Sequence, residues 1–75
     1  MKLLSDGSQA KIGLNVKILK GVDGLKTGEN TMITAINEQV INKSNHIIDL
    51  NRWHHIVQCS GGWLININQL AKALK

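Results

Sequence analysis

The chain has no proline, no phenylalanine and no tyrosine, and it carries a single cysteine. One cysteine forms no internal disulfide, whereas a small secreted domain normally relies on several, so the expected setting is reducing and cytoplasmic. No apolar run approaches the roughly 18 residues that a membrane helix needs, so no membrane contact is expected. Met1-Lys2-Leu3-Leu4 gives way at once to Ser5-Asp6-Gly7-Ser8, which leaves no apolar region for a signal peptide. Acidic residues are also scarce: five against nine Lys and Arg, for a net charge of +4. That balance suits a polyanion or an acidic protein surface. However, the lysines are scattered from Lys2 to Lys75, and abundant Lys, Asn and Ile equally follows from an AT-rich genome. Arg52 is the sole guanidinium, and two tryptophans are the only aromatics, too few for the stacking platforms on which single-stranded nucleic acid usually lies.

Missing motifs exclude further functions. There is no G-x-G-x-x-G, and Gly24…Gly28 lacks the Lys-Ser/Thr with which a phosphate-binding loop holds phosphate and magnesium. There is no C-x-x-C. The loaded stretch is "RWHHIVQCSGGWLI", residues 52–65, with adjacent histidines, the cysteine and both tryptophans. In a strand, His54 and His55 point to opposite faces and do not share one ion. His55 and Cys59 share a face but lie about 13 Å apart, and zinc would require two more ligands. A cysteine nucleophile needs a base within about 3 Å, with a third group to orient that base. His46 is the one base available from another strand, and no Asp or Asn is placed to orient it. The stretch therefore predicts no metal, no cofactor and no catalysis: a buried Cys59 acting as a small hydrophobe, an outward His54 and a partly buried His55.

What the chain does contain is branched aliphatic. Apolar residues make up 43% of the chain, mostly Ile, Leu and Val, side chains that suit pleated faces. Residues 1–10 read as a lead-in, and residues 11–75 as one small domain near the lower size limit for folding without disulfides or metal. From Lys11 the chain alternates, with Ile12, Leu14, Val16 and Ile18 on one face. The glycine-rich stretch 20–31 is a long connection in which Val22 and Leu25 fold back to plug the core. Strands follow at 31–37, at 39–41 and 46–50 around an Asn/Ser turn, at Trp53–Cys59, and at 63–67 after the Ser60-Gly61-Gly62 hairpin. Asn66 with Gln69 resembles a capping box that opens a short C-terminal helix with Leu70 and Leu74 on one face. "INQLAKALK" also resembles the first helix of a helix-turn-helix, but no turn and recognition helix follow it. The predicted core includes Leu14, Val16, Ile18, Ile33, Ile36, Val57 and Trp63.

A succession of short strands, a long early loop with "LKTGE" before the second strand, and a terminal helical turn resemble the small SH3-like barrels of phages and mobile elements. The resemblance covers residues 11–70 as a pattern of elements. It implies a mainly β, SH3-like barrel of about five strands with a short C-terminal helix, a fold that closes its own strand edges. The aromatic ligand groove of the signalling SH3 domains is absent. On this reading the chain is a non-enzymatic, intracellular binding module or regulator with a protein partner, the alternative being a basic barrel that binds nucleic acid. In such a topology the long first loop and a later turn often border one groove. The expected partner-binding residues are Lys20, Lys26 and Glu29 on the loop, with Arg52 and Trp53 at the turn. Trp53 has two readings: a core residue in phase with Val57, or an exposed anchor of the kind enriched at binding hot spots.

Overall fold

Alternation of small polar and branched apolar residues gives the chain its strands. In a computed structural model, which describes residues 2–21, 25–42 and 44–73, they are β1 (Asn15–Ile18), β2 (Asn30–Ala35), β3 (Gln39–Ile41), β4 (Ile47–Asp49), β5 (Ile56–Cys59), β6 (Trp63–Asn66) and β7 (Leu70–Lys72), with one 3-10 turn at Ile67–Gln69. The fold is mainly β. Five strands form an antiparallel sheet in the order β6-β5-β2-β1-β7, and β3 with β4 forms a separate hairpin. The last strand thus pairs with the first, Ile18 opposite Leu70 and Val16 opposite Lys72.

Each central strand turns alternate residues inward. Val16, Ile18, Ile33, Val57, Cys59, Ile65 and Leu70 are buried in one cluster, and Leu14, Leu25, Ile36 and Trp63 pack partly against it. A bulge in β2 sets Ile33 opposite Cys59 and Ala35 opposite Gln58. The extra residue sharpens the local twist and keeps both Ile33 and Ala35 buried. Every predicted core residue is buried or packed on the core. Val22 lies outside the described residues.

Two strand starts differ from expectation. The first strand begins at Asn15 rather than Lys11, because Gly13 adopts φ 90° in a turn closed by a hydrogen bond from Leu14 N to Lys11 O. A left-handed residue breaks the pleat, so Ile12 leaves the core face and is exposed. The fifth strand begins at Ile56, because Ile56 N bonds back to Trp53 O in a turn. Trp53 and His55 therefore fall out of phase with Val57, and both are exposed.

The C-terminal helix is not formed. Asn66 does cap, its side chain accepting from Asn68 N at 2.9 Å, but only one 3-10 turn follows before Leu70 extends into β7. A helix of so few residues is marginal alone. Pairing with β1 instead buries Leu70 completely. Leu74 lies outside the described residues.

Nor is the lead-in loose. It folds into a bridge between Leu3 and Gln9, with Leu4 and Ala10 buried in the main core. Ser5 N and Oγ both donate to Leu70 O, and Asp6 Oδ2 accepts from Lys72 N, so the segment covers the outer edge of β7.

Candidate partner-binding site

The site grows from the two connections that flank β2. The first leaves β1 at Leu19 and returns at Glu29, whose carbonyl accepts from Ile18 N. Gly21 lies against the backbone of Leu25 and Thr27, where any Cβ would meet Leu25 O at 2.6 Å, and its N–H donates to Thr27 Oγ1. The loop therefore folds back on itself, and Leu25 reaches the core as expected. Lys26 to Glu29 is a tight turn in which Glu29 N donates to Lys26 O and Glu29 Oε2 accepts from Lys26 N. Gly28, at φ 91°, supplies its left-handed position. Lys20, Lys26 and Glu29 are exposed. The Glu29 carboxylate is partly committed to its own turn.

The second connection runs from Ile36 through the β3–β4 hairpin to Ile56. Its turns come from short polar side chains: Asn42 Oδ1 accepts from Ser44 N and His46 N, and Asp49 Oδ1 accepts from Asn51 N. Such side-chain turns are what Asn and Asp favour. Arg52 N closes back on Asp49 O, and Arg52 and Trp53 project into solvent. With 44% of its surface accessible, Trp53 is an exposed indole rather than a core residue.

One element links the two connections. Ile67 N, at the start of the 3-10 turn, donates to His55 O at 2.9 Å, and Gln69 O, at its end, accepts from Leu19 N at 2.7 Å. A 3-10 helix rises about 2 Å per residue, so the base of the loop and the end of the turn are held on either side of one short element. Leu19, like Trp53, is 44% accessible. One exposed apolar residue, Leu19, is thus bonded to the end of the 3-10 turn, and the other, Trp53, lies two residues before the bond at its start, with Lys20 and Arg52 next to them in the chain. Lys26 and Glu29 stand farther along, at the loop's return.

A residue the sequence reading passed over holds this arrangement. Lys2 is 5% accessible, and its Nζ donates to Ile36 O, Leu50 O and Ile56 O at 2.5, 2.9 and 2.7 Å. Those three carbonyls lie where the second connection departs, turns and rejoins the sheet. Burial pulls the ammonium below its ordinary range, but its three donors meet three acceptors. No signal marks this role in the sequence, because a single lysine in a largely polar lead-in reads as a surface charge.

The histidines and the cysteine are not brought together. His46, His54 and His55 are exposed, and Cys59 is fully buried in the core. Desolvation pushes its thiol up to about 11, the reverse of what an attacking thiolate needs. Among the described residues no three His, Cys, Asp or Glu side chains converge as a ligand set, and no helix is long and apolar enough to cross a membrane. Comparison with protein-family models, with curated proteins and with solved structures finds no match for this chain.

Proposed function

We propose that this chain is a non-enzymatic intracellular binding module, built as a small SH3-like barrel, that holds a protein partner across the face framed by Leu19 and Trp53. Support for the barrel comes from the strand order β6-β5-β2-β1-β7, the helical turn between the last two strands and the pairing of the last strand with the first. The observation that carries the binding reading is the double attachment of the 3-10 turn, to His55 at one end and Leu19 at the other. It ties exposed Leu19 directly, and exposed Trp53 two residues away, to one frame; Ile12, Ile41 and Ile47 are more exposed still but carry no such attachment to the 3-10 turn. Arg52, Lys20 and Lys26 surround that frame with positive charge, which favours an acidic rim on the partner and speeds encounter more than it adds affinity.

Trp53→Ala tests the reading. Truncating a buried Trp costs about 3–5 kcal/mol, whereas an indole with nearly half its surface already in water forfeits about 1–2 kcal/mol on the same scale. The variant is expected to keep its β spectrum and most of its stability while losing a protein partner that the wild type retains after nuclease treatment. A variant that unfolds outright, or one that keeps the partner undiminished, defeats the proposal.

A further inference from the structure

The five-stranded sheet guards its two margins unequally. At β7 the lead-in covers the edge through Ser5 and Asp6. At β6 no strand among the described residues pairs with the outer side. Ile67 N donates to His55 O, and the bonds of an antiparallel ladder fall on alternate residue pairs. Val57–Ile65 and Cys59–Trp63 are therefore the bonded pairs, and Leu64, opposite Gln58, turns its N–H and C=O away from β5. A cleft of about 250 Å3 adjoins this strand, lined by Gly61, Gly62, Trp63 and Leu64 together with Asn42 and Ser44 of the β3–β4 turn. Consecutive strand residues point to opposite faces, so a cleft that Trp63 and Leu64 share abuts the rim of the strand rather than one face. The usual guards of an edge are missing here: from Trp53 to Ala71 the chain has no Asp, Glu, Lys or Arg, and it has no proline anywhere.

We infer that β6 is the seam of a homodimer, in which two copies of the chain pair their β6 strands antiparallel about a two-fold axis at Leu64. Such a contact is isologous, so the strand must complement itself. With Leu64 opposite Leu64 of the second copy, the outward backbone groups of the two residues exchange two hydrogen bonds. Trp63 then lies beside Ile65 of the copy on the core side, an aromatic and β-branched pair of the kind that stabilises sheets. The same register carries the copy's chain, from its Leu64 toward its Ile67, past the cleft beside Gly61–Leu64, and the two-fold axis fills both clefts alike. Charge selects the occupant. A net charge of +4 opposes self-association, but β6 carries none of it, so two copies meet there without repulsion. A charged foreign strand would find no counter-charge on β6. A seam of one strand falls well short of the roughly 800 Å2 per partner of a stable interface, so the dimer is weak and forms only at high concentration. This inference does not depend on the role given to Trp53.

The test follows mass and amide exchange with concentration. Sedimentation equilibrium from micromolar to millimolar protein is expected to show the mass rising toward twice that of the monomer. Over the same range the Leu64 amide should pass from rapid exchange to protection, while Ile65, bonded to Val57 within the fold, stays protected throughout. Leu64→Lys sets two like charges against each other at the axis. Leu64→Pro removes an N–H that only the seam uses, a loss that edge strands tolerate. Both variants are expected to remain monomeric with an unchanged β spectrum. Ile41→Lys, on the exposed face of the β3–β4 hairpin, should dimerise as the wild type does. The inference is overturned by a monomer at every concentration, by a Leu64 amide indifferent to concentration, or by association that survives Leu64→Lys and yields to Ile41→Lys. Protection of Leu64 in a persistent monomer by an added peptide of alternating Thr and Val would likewise overturn it, giving the edge to a foreign strand.

Discussion

Replacing Lys2 by methionine removes a charge from the interior while keeping most of the stem that fills it. The ammonium makes three hydrogen bonds to backbone carbonyls, of which the one to Leu50 O is fully buried and the other two are partly so. Bonds to a charged group are worth about 1.5–3 kcal/mol each, a gross gain of about 4.5–9 kcal/mol. Against that stands the desolvation of the ammonium, several kcal/mol. Once the charge is gone, water can reach the partly buried carbonyls of Ile36 and Ile56, but the Leu50 carbonyl is stranded at a cost of about 1–3 kcal/mol. The expected loss is about 2–4 kcal/mol, or about 8–30 °C in midpoint for a domain of this size. At roughly 0.05–0.15 kcal/mol per residue the whole chain has about 4–11 kcal/mol to lose, so the variant should still fold.

Urea unfolding followed by circular dichroism gives the magnitude, and hydrogen exchange gives the place. The Leu50 amide, bonded to Glu38 O at the base of the hairpin connection, should lose more protection than Val16 in the central sheet. Lys2→Arg should recover only part of the loss, because a planar fork does not aim three donors at carbonyls from three separate segments. A change under about 0.5 kcal/mol, a gain in stability, or an even loss of protection across the sheet would refute the clamp.

Cys59 supplies a pH signature. Its thiol is raised from 9.0 to about 11 in the folded chain, so the folded state holds the proton more tightly and the associated stability is complete below pH 9 and lost as pH rises through about 11. The loss reaches about 2.7 kcal/mol, read as the difference between wild type and Cys59→Ala so that the opposite contribution of Lys2 in alkaline solution cancels; a flat difference from pH 8 to 11 would contradict the burial. Gly61→Ala should cost about 1–2 kcal/mol by urea titration, because φ is 86° there and the new Cβ would lie 3.2 Å from the Trp63 ring, and a neutral result would show that the hairpin relaxes freely.

Much of the architecture was legible because period-two alternation and turn chemistry are local. Val16 and Ile18, Ile33, Val57 and the Asn42–Asn45 turn all lie where those signals put them. The misplacements share one cause, a local pattern outweighed by a distant contact. Asn66 carries a genuine cap, but Leu70 gains more from the free edge of β1, some fifty residues earlier, than from a second helical turn. Residues 11–14 alternate as well as 15–18 do, yet Gly13 turns there to donate to Ile33 O across the sheet. Trp53 belongs to the same group, since its phase with Val57 holds only if the strand continues back through residues 53–55. The candidate site shows the same division. Its exposed members Lys20, Lys26, Glu29 and Arg52 follow from turn chemistry, whereas Leu19 and the linking 3-10 turn need the fold.

The first ten residues guard one margin of the five-stranded sheet and steady the candidate binding face. A five-stranded sheet with β7 at one margin offers an edge that invites pairing with another chain. The lead-in closes that edge with Ser5 and Asp6, and with the Lys2 ammonium it fixes the connection that carries Trp53. One short segment therefore blocks the unwanted contact and stiffens the connection that carries Trp53. A face held by a buried charge costs less entropy to engage, because the turn bearing the indole is ordered before a partner arrives. Loosening Lys2 should then weaken binding at Trp53 even while the central sheet, built on Val16, Ile33 and Val57, stays intact.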